Sequence, residues 1–174
     1  MKAAAATLLL ASLLVGCASR PPSGDIEERP AVSSSRPRAE PATHQALFKG
    51  DRDQIVMTAV AQVGKPYRYG GNGPDAFDCS GLVRYAYGVG GAKTARTTAT
   101  LYNSGHVIAV EDAKPGDLMF YRLDSSRSGP SHVVFYLGDQ QGIHAPSSGG
   151  AIRAVRLDIP YFSQRFLGAR RLLE

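Results

Sequence analysis

The sequence predicts one α+β domain, with helices first and an antiparallel sheet after them. Three observations carry this reading. Apolar residues recur at helical spacing from about residue 55, then again from residue 82. Six short β-rich runs follow in the C-terminal half, each bounded by turn residues. At about 150 residues per domain, a chain of 174 residues holds one domain and a tail. Hydrophobic residues make up 43% and charged residues 20%, which excludes a wholly disordered or fibrous chain. The two cysteines, Cys17 and Cys79, exclude a disulfide-stapled scaffold. A net charge of +5 is a mild excess; it does not argue for nucleic acid, though it suits an anionic polymer or surface.

The elements run in this order. Ile55, Val56, Ala59, Val60 and Val63 share a helical face; Asp51 or Asp53 caps its start, and Gly64 with Pro66 stops it. A Gly-rich loop occupies residues 67–74. Leu82, Val83 and Ala86 then mark one face of a second helix, which Gly88, Gly90 and Gly91 end. Residues 97–104 form a short helix closed by Gly105. Strands are expected at 107–110, 117–122, 131–137, 142–145, 151–157 and 166–172, with turns at Pro115-Gly116, Gly138-Asp139 and 147–150.

The N-terminus reads as a targeting signal. Met1-Lys2 gives a positive start, and residues 3–15 are all apolar or small, a run too short for a comfortable membrane span. It ends in Leu14-Val15-Gly16-Cys17, which resembles a bacterial lipobox. That resemblance implies cleavage of residues 1–16 and lipidation of the Cys17 thiol. The alternatives are an ordinary signal peptide with an incidental cysteine, or an uncleaved anchor. By the same resemblance to Gram-negative lipoproteins, in which Asp at this place signals inner-membrane retention, Ala18 implies an outer-membrane lipoprotein facing the periplasm. Residues 17–46 carry Pro21, Pro22, Pro30, Pro37, Pro41 and the run Ser33-Ser34-Ser35. They read as a semi-rigid linker, extended at about 3 Å per residue, leading to a domain over 47–174.

Chemistry concentrates at Cys79. A lone thiol in an exported protein invites explanation, since oxidising compartments pair free thiols. A small buried hydrophobe is the plain alternative. Against it, Cys79 sits where the Gly-rich loop meets a helix, flanked by the cap formers Asp78 and Ser80. A helix N-terminus favours the thiolate. A cysteine nucleophile needs a base. His44 falls in the linker, and His106 follows Gly105 at a helix end. His132 opens the run Ser131-His132-Val133-Val134-Phe135-Tyr136-Leu137, pointing away from the face of Val133, Phe135 and Leu137. His144 lies twelve residues on, across the Gly138–Gln141 turn. In an antiparallel hairpin of even register sum, the two rings share a face, opposite or one diagonal step apart. This predicts a relay in which Cys79 attacks, His132 carries the proton and His144 orients His132. Zinc is the rival use of one Cys and two His. No short ligand pair such as C-x-x-C or H-x-x-x-H supports it, and no metal or organic cofactor is expected.

Phe77-Asp78-Cys79-Ser80-Gly81-Leu82-Val83 resembles the nucleophile motif of the NlpC-type, papain-like cell-wall cysteine peptidases. The likeness extends through Gly64-Lys65-Pro66-Tyr67-Arg68-Tyr69-Gly70-Gly71, Arg96-Thr97-Thr98, Lys114-Pro115-Gly116-Asp117-Leu118, Ser131-His132-Val133, Ile143-His144-Ala145 and Gly168-Ala169-Arg170-Arg171. It covers residues 53–172 in matching order and spacing. The resemblance implies a papain-like domain with helices packed on an antiparallel sheet. It also implies a D,L-endopeptidase acting on peptidoglycan stem peptides between D-γ-glutamate and the next diamino acid. By position, Cys79 is the nucleophile, His132 the base and His144 the third member. Tyr67 helps the oxyanion hole with the Cys79 N–H. Asp78 and Ser80 resemble residues that bind a free substrate ammonium in some members; helix capping explains them equally well. Thr94-Ala95 and Leu101 depart from the family pattern at groove positions, which leaves subsite preference open. Two other readings stand beside this one: a non-catalytic wall-binding lipoprotein, and another amidase or acyl transferase on the same site.

Overall fold

The computed structural model describes residues 50–174. The targeting segment, Cys17, the linker, His44 and the domain start at residue 47 lie outside the described residues. Within 50–174 the α+β order holds. Helices α1 (Arg52–Val60), α2 (Cys79–Val89) and α3 (Thr98–Ser104) precede strands β1 (His106–Ile108), β2 (Leu118–Tyr121), β3 (His132–Gly138), β4 (Gln141–His144), β5 (Arg153–Arg156) and β6 (Phe166–Arg171). The strands form one antiparallel sheet in the order β1-β6-β2-β3-β4-β5.

Side-chain alternation splits the sheet into two apolar faces. Leu118, Phe120, Val133, Phe135 and Ile143 pack with Ile55 and Ala59 of α1, Leu82, Val83, Ala86 and Tyr87 of α2, and Leu101 of α3. Met119, Tyr121, Val134 and Ala169 point the other way and pack with Leu157 and Phe162. Phe162 belongs to α4 (Pro160–Ser163), a short helix with Pro at its start. That helix is absent from the sequence reading, because one turn leaves no periodicity to detect.

Other elements differ at their limits. Asp51 is the α1 cap, accepting from the Gln54 N–H at 3.0 Å. Only Ile55 and Ala59 of the expected face are fully buried; Val60 and Val63 are 39% and 48% exposed. The helix stops at Val60, and the polar Thr58 and Gln62 take up the buried flank by bonding to backbone carbonyls one turn back. Gly88 lies inside α2, which runs on to a cap at Gly90. Residues 110–112 form a 3-10 turn rather than the end of β1. The β3–β4 hairpin closes through Asp139 and Gln140, both at positive φ (49° and 59°), as a two-residue type I′ turn requires.

One buried ion cluster ties the ends of the domain together. Asp117, 1% exposed, accepts from Arg171 at 2.7 and 3.0 Å, from Arg52 at 3.4 Å and from the Lys114 N–H at 2.8 Å. It thereby joins α1, the approach to β2, and β6. Removing the carboxylate leaves two guanidinium groups facing each other over a buried gap. For Asp117→Ala we expect about 3 kcal/mol of destabilisation, read as a lower urea midpoint with an unchanged m-value.

Candidate active site

The site begins with a close backbone contact. Asp78 precedes the first turn of α2 in an extended conformation (φ −93°, ψ 177°), and its Oδ1 accepts from the Gly81 N–H at 2.6 Å. Its own N–H donates to the Gly71 carbonyl at 3.0 Å. This brings the Gly-rich loop onto the helix so tightly that a Cβ on Gly81 would lie 1.9 Å from the Gly71 oxygen. A Cβ on Gly71 would lie 2.7 Å from the Ala76 oxygen. Cys79, the first residue of α2, is held at this junction, partly exposed.

Asp78 does more than cap. Its carboxylate also accepts from the Gly70 N–H at 3.0 Å and from Arg96 at 2.6 and 3.1 Å. Arg96 donates as well to Ser80 Oγ at 3.0 Å. Asp78 and Ser80 are thus held in a network built on Arg96, a contact that the sequence reading did not assign. The Arg96-Thr97-Thr98 motif was the available signal, but spacing alone does not reveal a partner eighteen residues upstream.

Cys79 faces a cleft of about 800 Å³ whose lining includes Tyr67, Tyr69, Arg96, Thr98, Leu123 and Ser147. Its Sγ lies 3.5 Å from Thr98 Oγ1. Burial pushes the thiol pKa above its ordinary value. Hydrogen bonds from Thr98 and from the backbone N–H groups of Val133 and Ser80 pull it down without offsetting that effect, and Asp78 raises it further. Burial thus opposes the stabilisation of the thiolate that a helix N-terminus offers. Tyr67 is raised too, by burial first and then by Cys79 and Asp78. It therefore stays protonated and able to donate.

His132 and His144 meet as the hairpin register requires. Phe135 pairs with Ile143 and Tyr136 with Gly142, which sets the two histidines one diagonal step apart on one face. His132 Nε2 and His144 Nδ1 are 2.9 Å apart, with the ring planes at 87°. Both residues are buried, at 1% and 4% exposure. The Val133 N–H that reaches the sulfur belongs to the residue after His132. His132 Nδ1 and His144 Nε2 are buried with no hydrogen-bond partner, each a group that costs about 1–3 kcal/mol while unsatisfied. His106 stands elsewhere, on edge strand β1, separated from β3 by β6 and β2.

The chain belongs to the NlpC/P60 family, whose model matches residues 64–171. It is 46% identical over 116 residues to the probable endopeptidase YafL of Escherichia coli K12, covering 64% of this chain and 46% of that protein. It is 38% identical over 134 residues to the murein DD-endopeptidase MepH of the same organism, covering 75% of this chain and 49% of MepH. The chain thus spans about half the length of these curated relatives. Among solved structures, a lipoprotein-like NLP/P60 protein from Staphylococcus aureus matches with a TM-score of 0.64 at 31% identity, over 73% of this chain and 43% of that one.

Two predictions follow from this geometry. Gly81→Ala places a methyl group against backbone, so the loop or the helix must shift. We expect about 1–3 kcal/mol of lost stability or more, seen as a lower Tm, together with altered alkylation of Cys79. The second concerns pH. Burial lowers His132 from 6.5 to about 3, with His144 adding to the effect, and lowers His144 to about 4, with Arg153 adding. Below pH 6.5 the unfolded chain takes up these protons first, so stability falls as pH drops from about 6.5 through 4 and 3. Each imidazole contributes a slope of up to about 1.4 kcal/mol per pH unit. His144→Gln removes one of the two, and thermal melts across this range should show a shallower acid limb.

Proposed function

We propose that this protein is a peptidoglycan endopeptidase that uses Cys79 as nucleophile, His132 as general base and His144 as the residue that orients His132. The observation that carries the reading is the 2.9 Å contact between His132 Nε2 and His144 Nδ1. It occupies one ring nitrogen and leaves Nδ1 of His132, buried and unpartnered, as the acceptor for the thiol proton. Because the thiol is raised and the imidazole lowered, the proton moves at attack rather than beforehand. Cys79 Sγ adds to the amide carbonyl as its proton passes to His132. The Tyr67 hydroxyl and the Cys79 N–H receive the oxyanion, a donor of this kind contributing about 2.7–4 kcal/mol. His132 then protonates the departing amine. A water deprotonated by His132 releases the acyl group from sulfur.

The bond proposed is D-γ-glutamyl to diamino acid, in a stem peptide lying in the cleft. Asp78 and Ser80 shape that cleft through Arg96. A free substrate ammonium would have to share Asp78 with this guanidinium. For the remainder of the chain we propose lipidation at Cys17 and attachment to the outer membrane facing the periplasm, with residues 17–46 spanning the gap to the wall. The chemistry here draws on no metal or organic cofactor.

Incubating the protein with defined muropeptides, followed by mass spectrometry, tests this. New stem-peptide fragments are expected, and their masses separate γ-D-glutamyl cleavage from the DD cleavage that MepH is named for. Cys79→Ala should abolish them. His132→Ala should lower kcat by about 10²–10⁴, and His144→Ala by a smaller factor that Gln partly restores. Equal turnover by Cys79→Ala would overturn the assignment.

A further inference from the structure

Behind the histidine pair lies a second, smaller cavity of about 190 Å³. It shares Leu123 and Ser147 with the main cleft. His144 lines it beside Arg153, Phe162 and Tyr161. The strand register sets Arg153 directly across from His144, so the two side chains stand on one face of the sheet. The exposed Arg153 side chain makes no ion pair or hydrogen bond among the described residues, and no acidic side chain lines the cavity. Phe162 meets the His144 ring edge-on at 5.7 Å and closes one wall.

The tautomers decide what this cavity needs. If His132 Nδ1 is to accept the thiol proton, its Nε2 carries hydrogen and donates to His144 Nδ1. The His144 proton then sits on Nε2, a buried N–H with no acceptor. A cation and an unmet donor face one partly apolar, solvent-reachable space. A planar anion satisfies both at once, through charge-assisted hydrogen bonds that apolar walls strengthen.

We propose that this back cavity is a carboxylate site: Arg153 supplies the charge, His144 Nε2–H the donor, and the bound carboxylate extends the Cys79–His132–His144 relay by one member. The proposal rests on the catalytic roles given above and deepens them. A carboxylate accepting from Nε2–H raises the proton affinity of His144 Nδ1. That strengthens the bond from His132 and makes His132 Nδ1 a better acceptor. Arg153 and His144 are here positioning residues. The carboxylate comes either from the substrate, entering past Leu123 and Ser147, or from a free small acid.

The full chain is titrated with sodium acetate against sodium chloride at constant ionic strength. Two readouts need no substrate: the ¹⁵N resonances of the His144 ring, and the rate of Cys79 alkylation by neutral iodoacetamide. The expected result is a saturable shift at His144 and an alkylation rate raised about threefold, as half a pKa unit of added basicity would give. Arg153→Gln should lose the saturable response. Arg156→Gln, on the same strand but paired with Asp158, should keep it. No saturation, or an unchanged response in Arg153→Gln, overturns the site. Muropeptides ending in a free carboxylate or its amide separate the two sources. Faster cleavage of the acid, lost in Arg153→Gln, assigns the substrate's own group. Equal cleavage, with acetate accelerating both, assigns a free acid. If acetate binds but no muropeptide is ever cut, the site stands and the proposed reaction falls.

Discussion

The approach of the Gly71 carbonyl to the first turn of α2 governs everything at this site. A Cβ at Gly81 would lie only 1.9 Å from that oxygen, so the helix begins where it does only because residue 81 has none. Asp78 fastens the contact from both sides, donating its N–H to the loop and accepting from Gly81 and Gly70. Arg96 then locks the carboxylate. Cys79 has little freedom left: its backbone is clamped by its neighbours, and its sulfur is directed at the cleft. Rigid support of this kind keeps a nucleophile within the tolerance that attack requires.

Electrostatics follow from burial. Burial disfavours the charged forms of the thiol and of both imidazoles. A site at rest without charge avoids the desolvation cost of a standing ion pair. In the proposed mechanism, the proton then stays on sulfur until a carbonyl arrives to accept the electrons. The charged groups nearby stay at one remove: Asp78 with Arg96 on the cleft side, Arg153 behind His144.

The sheet carries these parts on two faces. Helices α1 to α3 build one core against Leu118, Phe120, Val133, Phe135 and Ile143. The histidines alternate to the other face, where α4 brings Phe162 against His144 and Tyr121. The two histidines therefore meet at one end of the β3–β4 hairpin, with His132 opening one strand and His144 ending the next. Asp117, bridging Arg52 and Arg171, holds α1 and β6 in place around this arrangement.

Much of this was legible in the chain itself, because it is local. Periodicity located α2 and the strand runs, cap chemistry placed Asp78 at a helix start, and an even separation of twelve residues already put His132 and His144 on one face. Strand ends, the one-turn helix α4 and the exposure of Val60 were not, since they depend on which surface another element happens to cover. The same holds for the thiol. A helix N-terminus argues locally for a thiolate, whereas burial, which opposes it, depends on the surrounding protein. The pairing of Arg96 with Asp78 and of Arg153 with His144 likewise joins residues distant in sequence or on separate strands. The sequence alone determined the residue types, their order and their local periodicity. Solvent exclusion and long-range contacts were decided only in three dimensions, because both are sums over neighbours that the linear order does not name.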